Sequence, residues 1–283
     1  MHDATRRGFL GLVSAGSAVL LPGRQALAAA DAGAAAVGTD DACILTPQSE
    51  EGPYYLDPKL VRTDITEGKP GVPLTLRLRL IEAGSCTPIP GARVDIWHCD
   101  ARGFYSAFRD QGDRHNIDQT GKSFLRGSQF ADPAGVAAFK TIYPGWYDGR
   151  ATHIHFKVFL DDKTVLTGQT FFPEALNEFI YGNVPDYTGR PKQRLVINVN
   201  DRVATEADPE HRAYCAIKEE RERYVASLTL AVDRNAKVSA DSRPPPPPGP
   251  PPGAFHEGGP PPKAQWIKDR LAALVPGLNR SPF

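Results

Sequence analysis

Two histidines separated by one residue are the strongest candidates for metal binding in this sequence. His153 and His155 open a stretch, residues 153–160, in which apolar and polar residues alternate as in a half-buried β-strand. Because residues i and i+2 of a strand point to the same face, both imidazoles can reach one metal ion. The pair alone is a weak signal, since many such histidines are ordinary surface residues. The residues around it therefore decide the interpretation.

Tyrosines and an arginine accompany the histidine pair. The turn-rich segment 143–150 brings Tyr147 and Arg150 next to the pair, and Tyr105 follows another predicted strand. A tyrosine at the end of a strand is usually a packing residue, so neither tyrosine indicates a site by itself. The only carboxylate near the pair in the sequence is Asp148, whereas Fe²⁺ oxygenases use two histidines and one carboxylate.

Short β-strands are the elements that must position these side chains. Alternating or short apolar segments lie between Gly- and Pro-rich turns, and the chain has 27 Pro and 26 Gly residues. This pattern predicts a mainly β protein, a β-sandwich of two sheets with peripheral loops and few short helices. The predicted strands are residues 74–80, 93–97, 135–139, 153–160 and 195–199, and the only longer helical candidate is the weakly patterned stretch 205–222.

Five segments that carry these residues occur in a fixed order. They are Glu51-Gly52-Pro53-Tyr54-Tyr55, Val94 to Tyr105, Thr141 to Tyr147, Arg150 to Phe156, and Gln169 to Phe172. Together they resemble the intradiol ring-cleavage dioxygenases, the family of the catechol and protocatechuate dioxygenases. The resemblance extends over roughly residues 46–199, and the ordered set is far more specific than any one segment.

The resemblance implies a non-haem Fe(III) site held by two tyrosinates and two histidines. Tyr105 and Tyr147 match the phenolate ligands, and His153 and His155 match the imidazole ligands. Tyr143 does not match, because the family pattern Pro-Gly-x-Tyr selects Tyr147. The donor chemistry agrees with this assignment, since the field of Fe³⁺ lowers a tyrosine pKa of about 10 until the phenolate is the bound form. Tyr147 is also expected to take a proton from the substrate.

Arg150 and Gln169 match positions that the family places beside the substrate ring. An arginine there can stabilise negative charge that develops on the ring during oxygen attack. The resemblance implies cleavage of a catechol by O₂ between its two hydroxyl-bearing carbons, which gives a muconate-type diacid. The expected partners are therefore a small aromatic diol and O₂. The loop between Tyr147 and His153 is only five residues long, 148–152, which opens the pocket and leaves the choice of catechol undetermined.

A non-catalytic alternative is a secreted β-sandwich module that binds carbohydrate or a cell wall. The turn and strand at residues 90–94 occur in such modules too. Four converging ligand candidates favour the enzyme, because a binding module has no need of them. Nucleic acid is not an expected partner, since 33 basic and 33 acidic residues leave no net positive charge.

The N-terminal residues predict export. A twin arginine at Arg6-Arg7, the uncharged stretch 8–21 and the small residues Ala26-Leu27-Ala28 predict a twin-arginine signal peptide, residues 1–28. The uncharged stretch is too short for a hydrocarbon core of about 30 Å, so no stable membrane insertion is expected after cleavage. The predicted location is periplasmic or secreted.

The remaining boundaries follow from composition. Residues 29–45 are expected to form a tether, residues 46–239 the catalytic domain, and residues 240–283 a Pro-rich tail with a short amphipathic segment. The sequence leaves the oligomeric state open. One or two disulfides are expected in an oxidising compartment, and all three pairings remain open for Cys43, Cys86, Cys99 and Cys215.

Overall fold

A computed structural model describes residues 43–57 and 59–236. In this part of the chain, eight strands form two four-stranded sheets joined by long loops and two short helices. The structure thereby confirms the predicted mainly β sandwich. The predicted signal peptide (1–28), all but the last three residues of the predicted tether and the predicted Pro-rich tail (240–283) lie outside the described residues.

The strands are five to ten residues long, and the helices are short. Neither helix is long and apolar enough to span a membrane, and the same holds for the whole described range. In chain order the elements are β1 (Pro73–Glu82), β2 (Arg93–Trp97), β3 (Arg126–Phe130), β4 (Val136–Ile142), β5 (His153–Leu160), β6 (Lys163–Phe171), α1 (Glu174–Asn183), α2 (Arg202–Ala207), β7 (Ala216–Glu220) and β8 (Arg223–Val232).

The two sheets enclose one hydrophobic core. Their strand orders are β4-β1-β8-β7 and β3-β2-β5-β6, and only the β1–β8 pair is parallel. Every second residue of β1 from Leu74 to Leu80 is buried and belongs to the same apolar cluster as Val94 and Ile96 of β2. Burial of one such side chain stabilises the fold by about 1.5–3 kcal/mol. The alternating pattern therefore determines which face of each sheet turns inward.

The predicted strand at residues 195–199 is wrong. Residues 195–197 are irregular, and Asn198–Asn200 form a 3₁₀ turn. Side chains compete with a sheet for the backbone here: the amide of Ile197 donates to Asn200 Oδ1, and Asn198 Nδ2 donates to the carbonyl of Phe172. Ile197 is thus buried without forming part of a strand, whereas Val199 is exposed.

The predicted helix at residues 205–222 is also wrong beyond its first three residues. Helix α2 ends at Ala207, and the chain then turns because the Asp208 carboxylate accepts from the amides of Arg212 and Ala213. Pro209 restricts the preceding residue to non-helical conformations. Residues 216–220 instead form an edge strand whose side chains are mostly exposed, so the segment lacks the period-two pattern that predicts a strand.

The structure has one disulfide, within the expected one or two. Cys43 and Cys86 form a disulfide with a Cα–Cα distance of 5.2 Å, whereas Cys99 and Cys215 are buried free thiols. The bridge ties the first described residues to the turn after β1.

Candidate metal centre

His153 and His155 begin strand β5 and lie on its outer face. They are 2% and 1% exposed, although they alternate with Ile154 and Phe156, which point into the core between the sheets. Loops therefore cover the histidines on the outer face of the β3-β2-β5-β6 sheet, the face that points away from the other sheet. The two imidazoles point the same way, as the i and i+2 spacing predicts.

All four predicted ligands converge in this place. Nε2 of His153 lies 3.0 Å from Nε2 of His155, 3.4 Å from Oη of Tyr105 and 3.3 Å from Oη of Tyr147. Two nitrogen and two oxygen donors from three separate segments of the chain therefore surround one point.

The orientation of each imidazole is fixed by its neighbours. Nδ1 of His153 donates to the carbonyl of Ala151 at 2.7 Å, which leaves Nε2 as the atom with a free lone pair, as in metal-binding histidines. The ring of His155 stacks on Trp97, with 4.8 Å between centroids and 10° between planes. On its other side, a Cβ at Gly52 (φ +74°) would lie only 3.2 Å from Cε1 of His155. A side chain at Gly52 would thus crowd the ring.

Burial sets the protonation of the donors. It lowers the pKa of His153 and His155 well below the ordinary 6.5, so both imidazoles are neutral at pH 7. Burial also raises the pKa of the Tyr105 and Tyr147 hydroxyls above 10, and the nearby Arg150 guanidinium opposes this only in part. Phenolates at this site therefore require a stronger positive charge, which a bound metal cation provides.

The donor set fits Fe(III). Phenolate oxygens and imidazole nitrogens suit a hard, highly charged ion, and two phenolates neutralise part of its charge. Within residues 43–57 and 59–236, no three His, Cys, Asp or Glu side chains form a metal-binding group, so a two-histidine, one-carboxylate site is absent from this range. Asp148, the nearest carboxylate in sequence, pairs with Lys192 at 2.5 Å.

The two candidate tyrosine ligands differ in their surroundings. Tyr105 is 1% exposed and stacks on Tyr54 with 4.4 Å between ring centroids. Tyr147 is half-buried, and both tyrosines line the same open pocket. Tyr143, in contrast, is buried in the core and donates to Asn177 at 2.7 Å. Tyr143 therefore lies outside the group of donors around His153 Nε2.

Arg126 at the start of β3 holds the residues around Tyr105. Its buried guanidinium donates to the carbonyl of Tyr54 at 2.5 Å and to Oγ and the carbonyl of Ser106 at 2.8 and 2.9 Å. These three acceptors are neutral, and burial lowers the pKa of Arg126 to about 10. Arg126 thus holds Tyr54, which stacks on Tyr105, and Ser106, which follows Tyr105 in the sequence.

Arg150 and Gln169 also lie together beside the histidines. Nη2 of Arg150 donates to Oε1 of Gln169 at 2.5 Å, and Nε donates to the fully buried Asp201 carboxylate at 3.0 Å. Nε2 of Gln169 donates to the carbonyl of Glu50 at 3.0 Å. Gln169 pairs with His155 across strands β6 and β5. The structure therefore places both predicted residues at the site and fixes the direction of the guanidinium.

Asp201 is a site residue that the sequence-based interpretation missed. Its Oδ1 caps helix α2 by accepting from the amides of Val203 and Ala204, and its Oδ2 accepts from Arg150 and from the amide of Ala151. An aspartate directly before a short apolar helical segment is an N-cap signal, so the cap could have been recognised. Its contact with Arg150, 51 residues away, leaves no mark in the local sequence.

Comparisons with known sequences match this picture. A family model described as "Dioxygenase" matches residues 49–216. Catechol 1,2-dioxygenase from Acinetobacter baylyi is 31% identical over 177 residues, which cover 53% of this chain and 54% of that protein. Catechol 1,2-dioxygenase 1 from Acinetobacter lwoffii is 27% identical over 147 residues, or 44% of this chain and 45% of that protein. The chain thus spans about half the length of these curated relatives.

A solved structure is similar over nearly its whole length. The intradiol ring-cleavage dioxygenase from Tetranychus urticae is 30% identical, with a TM-score of 0.63, and the match covers 70% of this chain and 98% of that one. The matched family segment also covers more than half of the chain. From sequence, fold and the four converging donors together, the chain belongs to the intradiol ring-cleavage dioxygenase family.

Proposed function

We propose that this protein is a non-haem Fe(III) dioxygenase that uses O₂ to cleave a catechol between its two hydroxyl-bearing carbons, giving a muconate-type diacid. The observation that carries the proposal is the convergence of two phenolic oxygens and the Nε2 atom of His155 within 3.4 Å of His153 Nε2. The catechol 1,2-dioxygenases among its relatives support the same reaction class.

Tyr105, Tyr147, His153 and His155 would hold the iron. When bound, Fe(III) draws electron density from a chelated catecholate and makes the ring reactive toward O₂. Tyr147 is more exposed than Tyr105, so its oxygen would be the one to accept a proton from a substrate hydroxyl. Tyr105 is enclosed by Tyr54 and the rest of its cluster and is placed to remain a ligand throughout.

Arg150 supplies a fixed positive charge beside this centre. Because Asp201 and Gln169 hold its guanidinium in place, the charge needs no reorientation when negative charge develops on the substrate ring. Trp97 stacks on the ring of His155 and Gly52 lies close to its Cε1, and the histidine is only 1% exposed.

The experiment that tests the function measures iron, colour and oxygen uptake together. We expect the purified protein to contain about one iron per chain, to show a visible tyrosinate-to-iron charge-transfer band, and to consume O₂ with catechols while forming a diacid detectable by mass spectrometry. Tyr105→Phe should shift or remove the band, whereas Tyr143→Phe, which alters a buried tyrosine outside the site, should leave it in place. A colourless protein after iron reconstitution would overturn the proposal and leave the non-catalytic binding module as the better interpretation.

We further propose that residues 1–28 direct export by the twin-arginine route to the periplasm or the exterior. The Cys43–Cys86 disulfide supports an oxidising destination. The location would be contradicted if the full chain stayed in the cytoplasm of a host with an active twin-arginine pathway and kept residues 1–28.

A further inference from the structure

The pocket beside the metal centre has charged walls. It is lined by Tyr54, Tyr105 and Tyr147 from the site and by loop residues that carry charge. Three of the charged lining residues are carboxylates and two are cations, namely Asp110, Asp113, Asp148, Arg190 and Lys192. A substrate that reaches Tyr147 must therefore pass these groups.

Both cations are already neutralised by the protein. Nη2 of Arg190 lies 2.5 Å from Oδ1 of Asp113, and its guanidinium also stacks 3.7 Å from the centre of the Trp146 ring. The Arg190 and Asp113 side chains are only 5% and 17% exposed, so this pair is well shielded from water. Nζ of Lys192 lies 2.5 Å from Oδ2 of Asp148. Neither cation is available to bind a carboxylate of the substrate without giving up its own partner.

Asp110 is the one carboxylate of the pocket lining that pairs with neither of these two cations. It is exposed, lines the pocket and forms no ion pair within 4 Å in the part of the chain that the structure describes. Its main-chain carbonyl accepts from Nδ1 of His115 at 3.1 Å, which holds the loop but leaves the charge of the carboxylate uncompensated. The three carboxylates and two cations of the pocket lining therefore sum to one excess negative charge.

We propose that this pocket selects uncharged catechols over catechols that carry a carboxylate on the ring, and that Asp110 is the main determinant of this preference. The inference rests on the proposed function and names its substrate class. A ring carboxylate in the pocket would face Asp110 without a free cation to offset the repulsion. For two like charges roughly 8–10 Å apart near a protein surface, this repulsion corresponds to about a tenfold difference in affinity.

The test compares 3,4-dihydroxybenzoate with 3,4-dihydroxybenzamide, because these compounds have nearly the same shape and differ in charge. Binding to the iron-loaded enzyme is measured by anaerobic calorimetry at pH 8, and kcat/KM by oxygen uptake in air. We expect the wild-type enzyme to favour the amide about tenfold in both measurements at low salt. The preference should weaken at 0.5 M salt, where the charges are screened.

Asp110→Asn should reduce the preference for the amide about three- to tenfold, since it removes the charge with little change in shape. Asp118→Asn is the matched control, because Asp118 is an exposed aspartate of the same loop that pairs with Arg109 and does not line the pocket. It should leave the preference unchanged.

Equal or tighter binding of the benzoate by the wild type would overturn the proposed substrate class, and an unchanged preference in Asp110→Asn would overturn the role of Asp110. A protein that holds no iron and binds neither compound would instead overturn the proposed function, and this inference with it.

Discussion

His155→Ala is expected to lose iron and activity together. The substitution removes one of four donors, and no other His, Cys, Asp or Glu in the described part of the chain is grouped with the site to replace it. It also removes the ring that stacks on Trp97. We expect the iron content to fall below about a tenth of the wild-type value and kcat/KM to fall by about 10³-fold or more, since activity requires the metal. Metal analysis by mass spectrometry and oxygen uptake measure the two losses.

His98 provides a matched control for this result. It is a fully buried histidine at the end of β2, and its two ring nitrogens lie 2.8 Å from the carbonyl of Cys99 and 2.7 Å from Oγ1 of Thr141. His98→Asn should lower the stability of the fold but leave iron bound in the folded fraction. His155→Asn serves as a second, polar replacement in case the alanine variant does not fold. A folded His155 variant with full iron and full activity would remove His155 from the ligand set.

The sequence could indicate the candidate ligands but not the contacts that support them. The two histidines stand out because a strand places residues i and i+2 on one face, whereas the tyrosines were chosen only from the resemblance to the dioxygenase family. The contacts that fix the site join distant segments: Arg126 reaches the carbonyl of Tyr54 across 72 residues, and Arg150 reaches Asp201 across 51 residues. Such side-chain contacts arise only when the sandwich brings the loops together, and no local periodicity encodes them.

The same distinction explains the errors in secondary structure. Strands with one face in the core, such as β1 and β5, have a clear alternating pattern, and they were predicted within two residues of their bounds. Strand β7 lies at a sheet edge with most side chains in water, so its residues are polar and resemble a weak helix. Around Asn198 and Asp201, side chains accept or donate the hydrogen bonds that a strand would have used. The hydrophobic pattern therefore predicted β1, β2, β4 and β5, whereas the inner strand β8 and the polar connections were not predicted.

Arg150→Ala should lose activity while it keeps iron. Arginine is not a ligand, and the four donor atoms are held by other contacts, such as the bond from His153 Nδ1 to the carbonyl of Ala151. In the proposed reaction the lost guanidinium would stabilise negative charge on the ring, and removal of one such preorganised donor costs about 10²–10³-fold in rate. The loss should appear mainly in kcat with the charge-transfer band retained. Iron analysis, the visible spectrum and steady-state oxygen uptake on the same preparation measure the three properties.

Two further variants separate charge from architecture at this position. Asp201 is fully buried, and in Arg150→Ala it loses its ion-pair partner, although the amides of Ala151, Val203 and Ala204 still donate to it. Arg150→Lys retains the charge but cannot donate to Asp201 and Gln169 in the same planar geometry, so it should recover only part of the rate.

Arg202→Ala is the matched control, since Arg202 lies next to Asp201 in sequence but its side chain is exposed and pairs with Glu50 and Glu206. It should remain within a factor of two of the wild-type rate. Normal oxygen uptake by iron-replete Arg150→Ala would show that Arg150 only supports the loop, because a charge that stabilises the reacting ring cannot be removed without cost.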